Sequence, residues 1–198
     1  MLSAFEACIR AGGVALFPAD TVYGLACDPE SLAAVARLYA LKGRAPGKPA
    51  AVMFFDPAWL PPMGPRTRAL AHALLPGPVT LLVPNPDHHF PLACGEDPDT
   101  LGVRVPAASP LRGAQVAVLQ SSANHAGEPD ARTLDAVPAD IRAGVKLVLG
   151  AGELPGTPST VVDLRSFEEG GDWRVVRAGA LPAAAVAEAA GEVLLRLR

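Results

Sequence analysis

Three cations fall within seven positions in Lys42-Gly43-Arg44-Ala45-Pro46-Gly47-Lys48, and Pro49 follows. The Gly and Pro residues favour a loop, and cations gathered on a loop suit an anion such as a phosphate chain. A basic loop that only faces water is the competing reading. The segment is not a Walker A loop, which needs four residues between its glycines and a Ser or Thr after the lysine; here three intervene. Other polar groups recur at the ends of apolar runs. Asp20-Thr21 follows the run Val14 to Phe17, and Gln120-Ser121-Ser122-Ala123-Asn124 follows Val116 to Leu119. Loops placed after strands meet ligands in open α/β sheets, and they also serve as plain turns. Thr100 and Arg104 flank or occupy an otherwise apolar run, so Arg104 must reach an edge, a carboxylate or an anionic ligand. Ser159-Thr160 before Val161-Val162-Asp163, and Arg177 after Val175-Val176, complete the set. Asp87-His88-His89 contains metal-ligand residue types, but no further ligand-spaced cluster accompanies it, so no metal held by the protein alone is expected. G-x-S-x-G, S-x-x-K and G-x-G-x-x-G words are absent, which leaves serine-nucleophile and dinucleotide-binding chemistries without signatures.

These groups need elements to position them. Ser3 and Glu6 form a capping-box pattern, predicting a helix through Arg10 that Gly12-Gly13 ends. Strands are expected at Val14 to Phe17 and Val22 to Ala26. Ser31 should cap a helix that buries Leu32, Val35, Leu38, Tyr39 and Leu41 and stops beside Lys42. Further strands are expected at 51–55, 79–83, 101–105, 116–119 and 146–149, with helices at 66–75 and between 134 and 143. Thr160 to Leu164 and Trp173 to Val176 read as a hairpin, before a final helix from Pro182. Helices interleaved with short, mostly unalternating apolar strands predict one α/β domain over 1–198. Its twisted mixed sheet would be flanked by helices and largely covered on both faces.

Composition narrows the class. The 198 residues are 50% hydrophobic and 19% charged, enough apolar surface for a packed core. A net charge of -3 argues against a surface built wholly for nucleic acid. Cys8, Cys27 and Cys94 are odd in number and unpaired by spacing, which fits a reducing compartment and a cytoplasmic protein. Neither a signal peptide nor a membrane-spanning run is expected.

Taken in order, these segments resemble the YrdC-like family of threonylcarbamoyl-AMP synthases, in its short, single-domain form, from about Gly13 to Gly179. Phe17-Pro18-Ala19-Asp20-Thr21-Val22-Tyr23-Gly24-Leu25 is similar to the family's P-T-E-T-x-Y-G-L, and Lys42-Gly43-Arg44 with Lys48-Pro49 to its K-x-R-x-x-x-K-P. Pro76-Gly77-Pro78-Val79-Thr80, Gly102-Val103-Arg104-Val105-Pro106, Ser122-Ala123-Asn124 through Gly127-Glu128-Pro129, and Ser159-Thr160-Val161-Val162-Asp163 follow in family order.

The resemblance implies an open concave ligand cleft and ATP-dependent conversion of L-threonine and bicarbonate to threonylcarbamoyl-AMP. Pyrophosphate would be released, and the product would feed t6A modification of tRNA. It implies catalytic Lys42 and Arg44, ATP contacts from Arg44, Lys48, Thr100, Ser122, Asn124 and Arg177, and threonine contacts from Thr21, Arg104 and Ser159. Mg2+ would ride on the ATP phosphates, and tRNA or a downstream threonylcarbamoyl-transferase complex would be a partner. Departures fall mostly at the amino-acid end: Ala19-Asp20 replaces Thr-Glu, and Met53 stands where many members carry a histidine. Gln120 and Asp130 replace small hydroxyl residues. Lys42 and Arg44 are expected on an exposed loop, where alanine substitutions would remove activity and leave the fold intact. An RNA-binding module of the same fold, and the carbamoyl-adenylating relative within hydrogenase-maturation proteins, are the alternatives.

Overall fold

The computed structural model describes residues 1–197. Six α-helices, α1 (Leu2–Arg10), α2 (Leu32–Lys42), α3 (Pro65–Leu74), α4 (Pro91–Cys94), α5 (Ala139–Gly144) and α6 (Ala183–Arg196), alternate with nine strands. These are β1 (Ala15–Pro18), β2 (Tyr23–Cys27), β3 (Ala51–Met53), β4 (Val79–Pro84), β5 (Thr100–Arg104), β6 (Val118–Ser122), β7 (Leu147–Val148), β8 (Thr160–Asp163) and β9 (Arg174–Arg177).

Local signals set most of these boundaries. Ser31 Oγ accepts from Ala34 N at 3.3 Å and starts α2. Gly43, at φ 59 in the left-handed region, stops it one residue after Lys42. Pro182 is the N-cap of α6. The capping box at Ser3 does not form: Met1 is the N-cap, and Glu6 instead accepts from Gln115 N at 2.7 Å, tying α1 to a distant loop. The helix expected from Leu134 begins only at Ala139. Pro138 disfavours helical backbone at the residue before it, and 133–137 close as turns instead. A shift also occurs in β6, expected at 116–119 and found at Val118–Ser122. Its neighbours decide this: β2 pairs with residues 119–122 and β3 with 118–120, so Gln120, Ser121 and Ser122 lie in the ladder and not in a loop.

The strands form one mixed sheet in the order β7-β1-β2-β6-β3-β5-β4-β8-β9. β8 and β9 make the expected antiparallel hairpin at one edge. One face is covered from β1 to β8, while the edge strands β7 and β9 stay partly exposed. There Leu16, Leu25, Val52, Leu81, Leu101, Val103, Leu119 and Val162 pack against residues of α2, α3, α5 and α6 such as Leu38, Leu70, Ile141 and Val186. The other face is covered only over β1, β2 and the near parts of β6 and β3. There Phe5 of α1 meets Phe17 and Phe55, each at a ring separation of 5.6 Å, over Met53 and Val118. Toward β5, β4 and β8 this second face is left open. Coverage of both faces, expected from the apolar runs, therefore holds for only half of the sheet, and the open half is where the polar residues alternate in.

Candidate functional site

The open half of the sheet forms a cleft of about 450 Å³. Strand alternation fills its floor: on β5 Leu101 and Val103 enter the core, while Thr100, Gly102 and Arg104 face the cleft. Register then orders the floor in rows. Arg104 lies beside Met53, Gly102 between Ala51 and Leu82, and Thr100 opposite Pro84. Thr100 and Arg104 are four residues apart on one strand, so the rows at the two ends are separated by about 13 Å.

Arg104 organises one end. It is 3% exposed, and its Nη2 donates to Asp20 Oδ1 and to Thr21 Oγ1 at 2.7 Å. Asp20 Oδ2 in turn accepts from Ala107 N at 2.9 Å. Burial pulls the Arg104 pKa down while the Asp20 carboxylate opposes the shift. An arginine stays charged regardless. Its Nε is buried without a partner among the described residues. Nearby, Ser159 Oγ lies 2.9 Å from Thr80 Oγ1, and Arg177 Nη2 donates to Ser159 O at 2.8 Å. Gly179 permits this corner, because a Cβ there would stand 2.3 Å from Pro158 O. Met53 does not line the cleft: it is fully buried in the apolar cluster under α1, next to Arg104 in the ladder.

The cationic loop borders the other end. Arg44 lines the cleft, its guanidinium 5.5 Å from the Tyr39 ring and its Nη2 donating to Pro49 O at 2.6 Å. Tyr39 Oη donates to Lys48 O at 2.7 Å, so one ring anchors both ends of the loop. Lys42 is not on the exposed loop. It is 3% exposed in the last turn of α2, and Nζ donates to Ser122 O, to Asn124 O at 2.7 Å and to Asn124 Oδ1 at 3.1 Å. An ammonium has three protons, and all three have acceptors here. Burial, with Arg44 adding to it and Asp130 opposing, pushes the Lys42 pKa down to about 8. Ser122 Oγ donates to Asn124 Oδ1 at 2.5 Å, closing the network.

Of the residues singled out in the sequence, Arg44, Thr100, Arg104, Ser122, Ser159 and Arg177 line the cleft together. Lys42 and Asn124 stand behind Ser122, and Thr21 behind Arg104, each through a direct hydrogen bond. The Lys48 side chain is exposed and outside the lining. Asp87-His88-His89 lies on the surface, with His88 Nε2 2.9 Å from Asp99 Oδ1, and no group of three or more metal-ligating side chains is found among the described residues. No described helix is long and apolar enough to cross a membrane.

Arg165, Asp97, Asp130 and Gln120 also line the cleft. Sequence reasoning passed over Arg165 because its role depends on Asp163, which is near in sequence but becomes a charge clamp only once β8 and β9 pair. Asp163 accepts from Arg165 Nε at 2.9 Å and Nη2 at 2.8 Å, and from Arg174 Nε at 3.0 Å. These bonds, Arg165 first, hold its pKa at about 2, below the usual 3.8. A depressed carboxylate stabilises the fold above its unfolded pKa and loses that stabilisation as pH falls through the folded value. Asp163→Asn is thus expected to cost about 2 kcal/mol at pH 7, with the gap to wild type closing between pH 4 and pH 2. Urea unfolding midpoints across that range read the effect.

Comparison with known proteins follows the same outline. The Sua5/YciO/YrdC family profile, described as "Telomere recombination", matches residues 7–179. A threonylcarbamoyl-AMP synthase of Chromohalobacter salexigens is 40% identical over 174 residues, covering 82% of this chain and 91% of that protein. Its counterpart in Thiobacillus denitrificans is 36% identical over 80% of this chain and 88% of its own. The structure of P. abyssi Sua5 complexed with L-threonine superimposes with a TM-score of 0.83 at 28% identity. It covers 96% of this chain, which spans 57% of that longer protein. Family profile, sequence identity and shared fold lead to one assignment: the chain belongs to the Sua5/YciO/YrdC family.

Proposed function

We propose that this protein is a threonylcarbamoyl-AMP synthase, joining L-threonine, bicarbonate and ATP with release of pyrophosphate, for t6A modification of tRNA. The observation that carries the reading is the two-ended cleft: Arg44, Thr100, Ser122 and Arg165 at one end, Arg104 and Ser159 at the other, on one continuous floor. The 36–40% identical relatives bear the same activity in their names, and P. abyssi Sua5 binds L-threonine. The cytoplasm, where tRNA is modified, is the expected location.

The chemistry suits a site without a nucleophilic side chain. A threonine nitrogen that has taken up carbon dioxide carries its own carboxylate nucleophile, and the protein need only align it on the α-phosphorus. One carboxylate oxygen bonds to that phosphorus while the bond to the bridging oxygen breaks, and pyrophosphate leaves with the electron pair. Arg44 and Arg165 offset charge on the leaving group. Arg104 holds the amino-acid carboxylate through Nη1, the guanidinium nitrogen that neither Asp20 nor Thr21 engages. The Asp97 and Asp130 carboxylates, both lining the cleft, would offer oxygen donors to a magnesium ion carried in on the triphosphate, which would supply neutralisation of phosphate charge.

Pyrophosphate release with threonine and bicarbonate supplied together or singly tests this. Both should be required, and release independent of threonine overturns the reading. Arg44→Ala should raise the KM for ATP about tenfold, with the KM for threonine within twofold, because a charge-assisted phosphate contact is worth roughly 1.4 kcal/mol or more. RNA binding that is steeply salt-dependent, without turnover, would instead favour a nucleic-acid module.

A further inference from the structure

Tyr39 stands in the last turn of α2, buried as part of the main apolar cluster. The cationic loop meets it at backbone, ring and hydroxyl. Tyr39 O accepts from Arg44 N at 2.9 Å, the ring centre lies 5.5 Å from the Arg44 guanidinium, and Tyr39 Oη donates to Lys48 O at 2.7 Å. From Ala45 to Lys48 this last bond is the only one made by a main-chain group among the described residues. The loop also holds Gly43 and Gly47 at φ 59 and 80, and glycines leave a backbone many courses to take. A chain segment with little internal order is thus pinned by one rigid, buried side chain.

The manner in which Arg44 is held bears on its chemistry. No carboxylate pairs with it among the described residues. Its side-chain contacts, the Tyr39 ring and Pro49 O, are both neutral. An aromatic face orients a guanidinium without cancelling its charge, whereas Arg104 is already balanced by Asp20. Arg44 therefore meets an anion in the cleft with its direction set and its charge whole. Burial raises the Tyr39 pKa, and the neighbouring Arg44 charge opposes that rise.

We propose that Tyr39 is a positioning residue for the triphosphate end of the cleft. It acts through Arg44 by its ring and through the loop at Lys48 by its hydroxyl, so that the entropy of ordering the loop is lost on folding and not on binding. This deepens the synthase reading and rests on that reading's placement of ATP.

Calorimetric titration with MgATP and, separately, with threonine tests the role. Tyr39→Phe keeps the ring and removes only the hydroxyl, and Tyr39→Leu removes the ring as well. The Kd for ATP should rise roughly threefold for Tyr39→Phe and about tenfold for Tyr39→Leu, one hydrogen bond followed by one cation–π contact, with the Kd for threonine within about twofold. The further loss between Tyr39→Phe and Tyr39→Leu should vanish when Arg44→Ala is added, because the ring then has no cation to orient. A merely structural role would weaken ATP and threonine binding alike, or leave that further loss intact beside Arg44→Ala; either result overturns the inference. An unchanged ATP affinity in Tyr39→Phe also overturns it, and this variant decides alone where Tyr39→Leu does not fold. A wild-type protein that binds ATP but releases no pyrophosphate with all substrates present overturns the synthase reading and leaves the test of Tyr39, which needs only ATP binding, in force.

Discussion

Arg104→Gln is expected to lower kcat/KM for threonine on the order of 100-fold or more, about 2.7 kcal/mol of transition-state stabilisation. Two losses combine. The substrate carboxylate loses its charged partner, and Asp20, 4% exposed at its side chain, is left as a buried carboxylate without a counter-ion. Substrate kinetics separate the two. Loss of the carboxylate contact raises the KM for threonine while the KM for ATP stays within a fewfold, because Arg104 is about 13 Å from the Thr100 row. Asp20→Asn isolates the other loss: it keeps one oxygen but cannot serve Arg104 and Ala107 N equally well, so stability should fall while the charge of Arg104 remains available. If both variants raise the two KM values in parallel, Arg104 is not a threonine-end residue.

Lys42→Met should unfold more readily than wild type by about 3 kcal/mol, or roughly 6–12 °C in melting temperature for a chain of this size. The ammonium satisfies Ser122 O and both oxygens of Asn124, and a thioether leaves all three without that donor. The alkaline limb gives an independent check. Lys42 has a folded pKa of about 8 against an ordinary 10.5, so between those values the unfolded chain holds more protons than the native one. Stability from this group therefore rises with pH across that window. The advantage of wild type over Lys42→Met should widen by roughly 2–3 kcal/mol from pH 7 to pH 10. Urea midpoints at the two pH values read it. An equal gap at both would mean that Lys42 titrates normally and is not buried as described. Activity would fall in either case, since Ser122 and Asn124 are held through this lysine; loss of activity alone does not distinguish a phosphate contact from a strut, but loss of stability does.

Local chemistry made much of this protein legible in one dimension. Ser31 and Gly43 bound α2, Pro182 opens α6, and apolar runs separated by Gly and Pro mark most strands, because caps, turns and burial patterns act over a few residues. The ordered motifs likewise picked out Arg44, Thr100, Arg104, Ser122, Ser159 and Arg177, which come together from five separate segments of the chain. What the sequence could not express was exposure and pairing. Lys42 reads as part of a basic loop, yet it is the last residue of α2, and the final turn of that helix carries it beneath Ser122. Asp20 and Arg104 are 84 positions apart and meet only because β3 and β5 set the Arg104 row beside the β1–β2 turn. Gln120 reads as loop until β2 and β3 close the ladder on either side of it. Short-range propensity fixes which residues belong to an element. Only long-range strand register, which no local window contains, decides which of them face the core, which face the cleft, and which cation is spent on holding the site together.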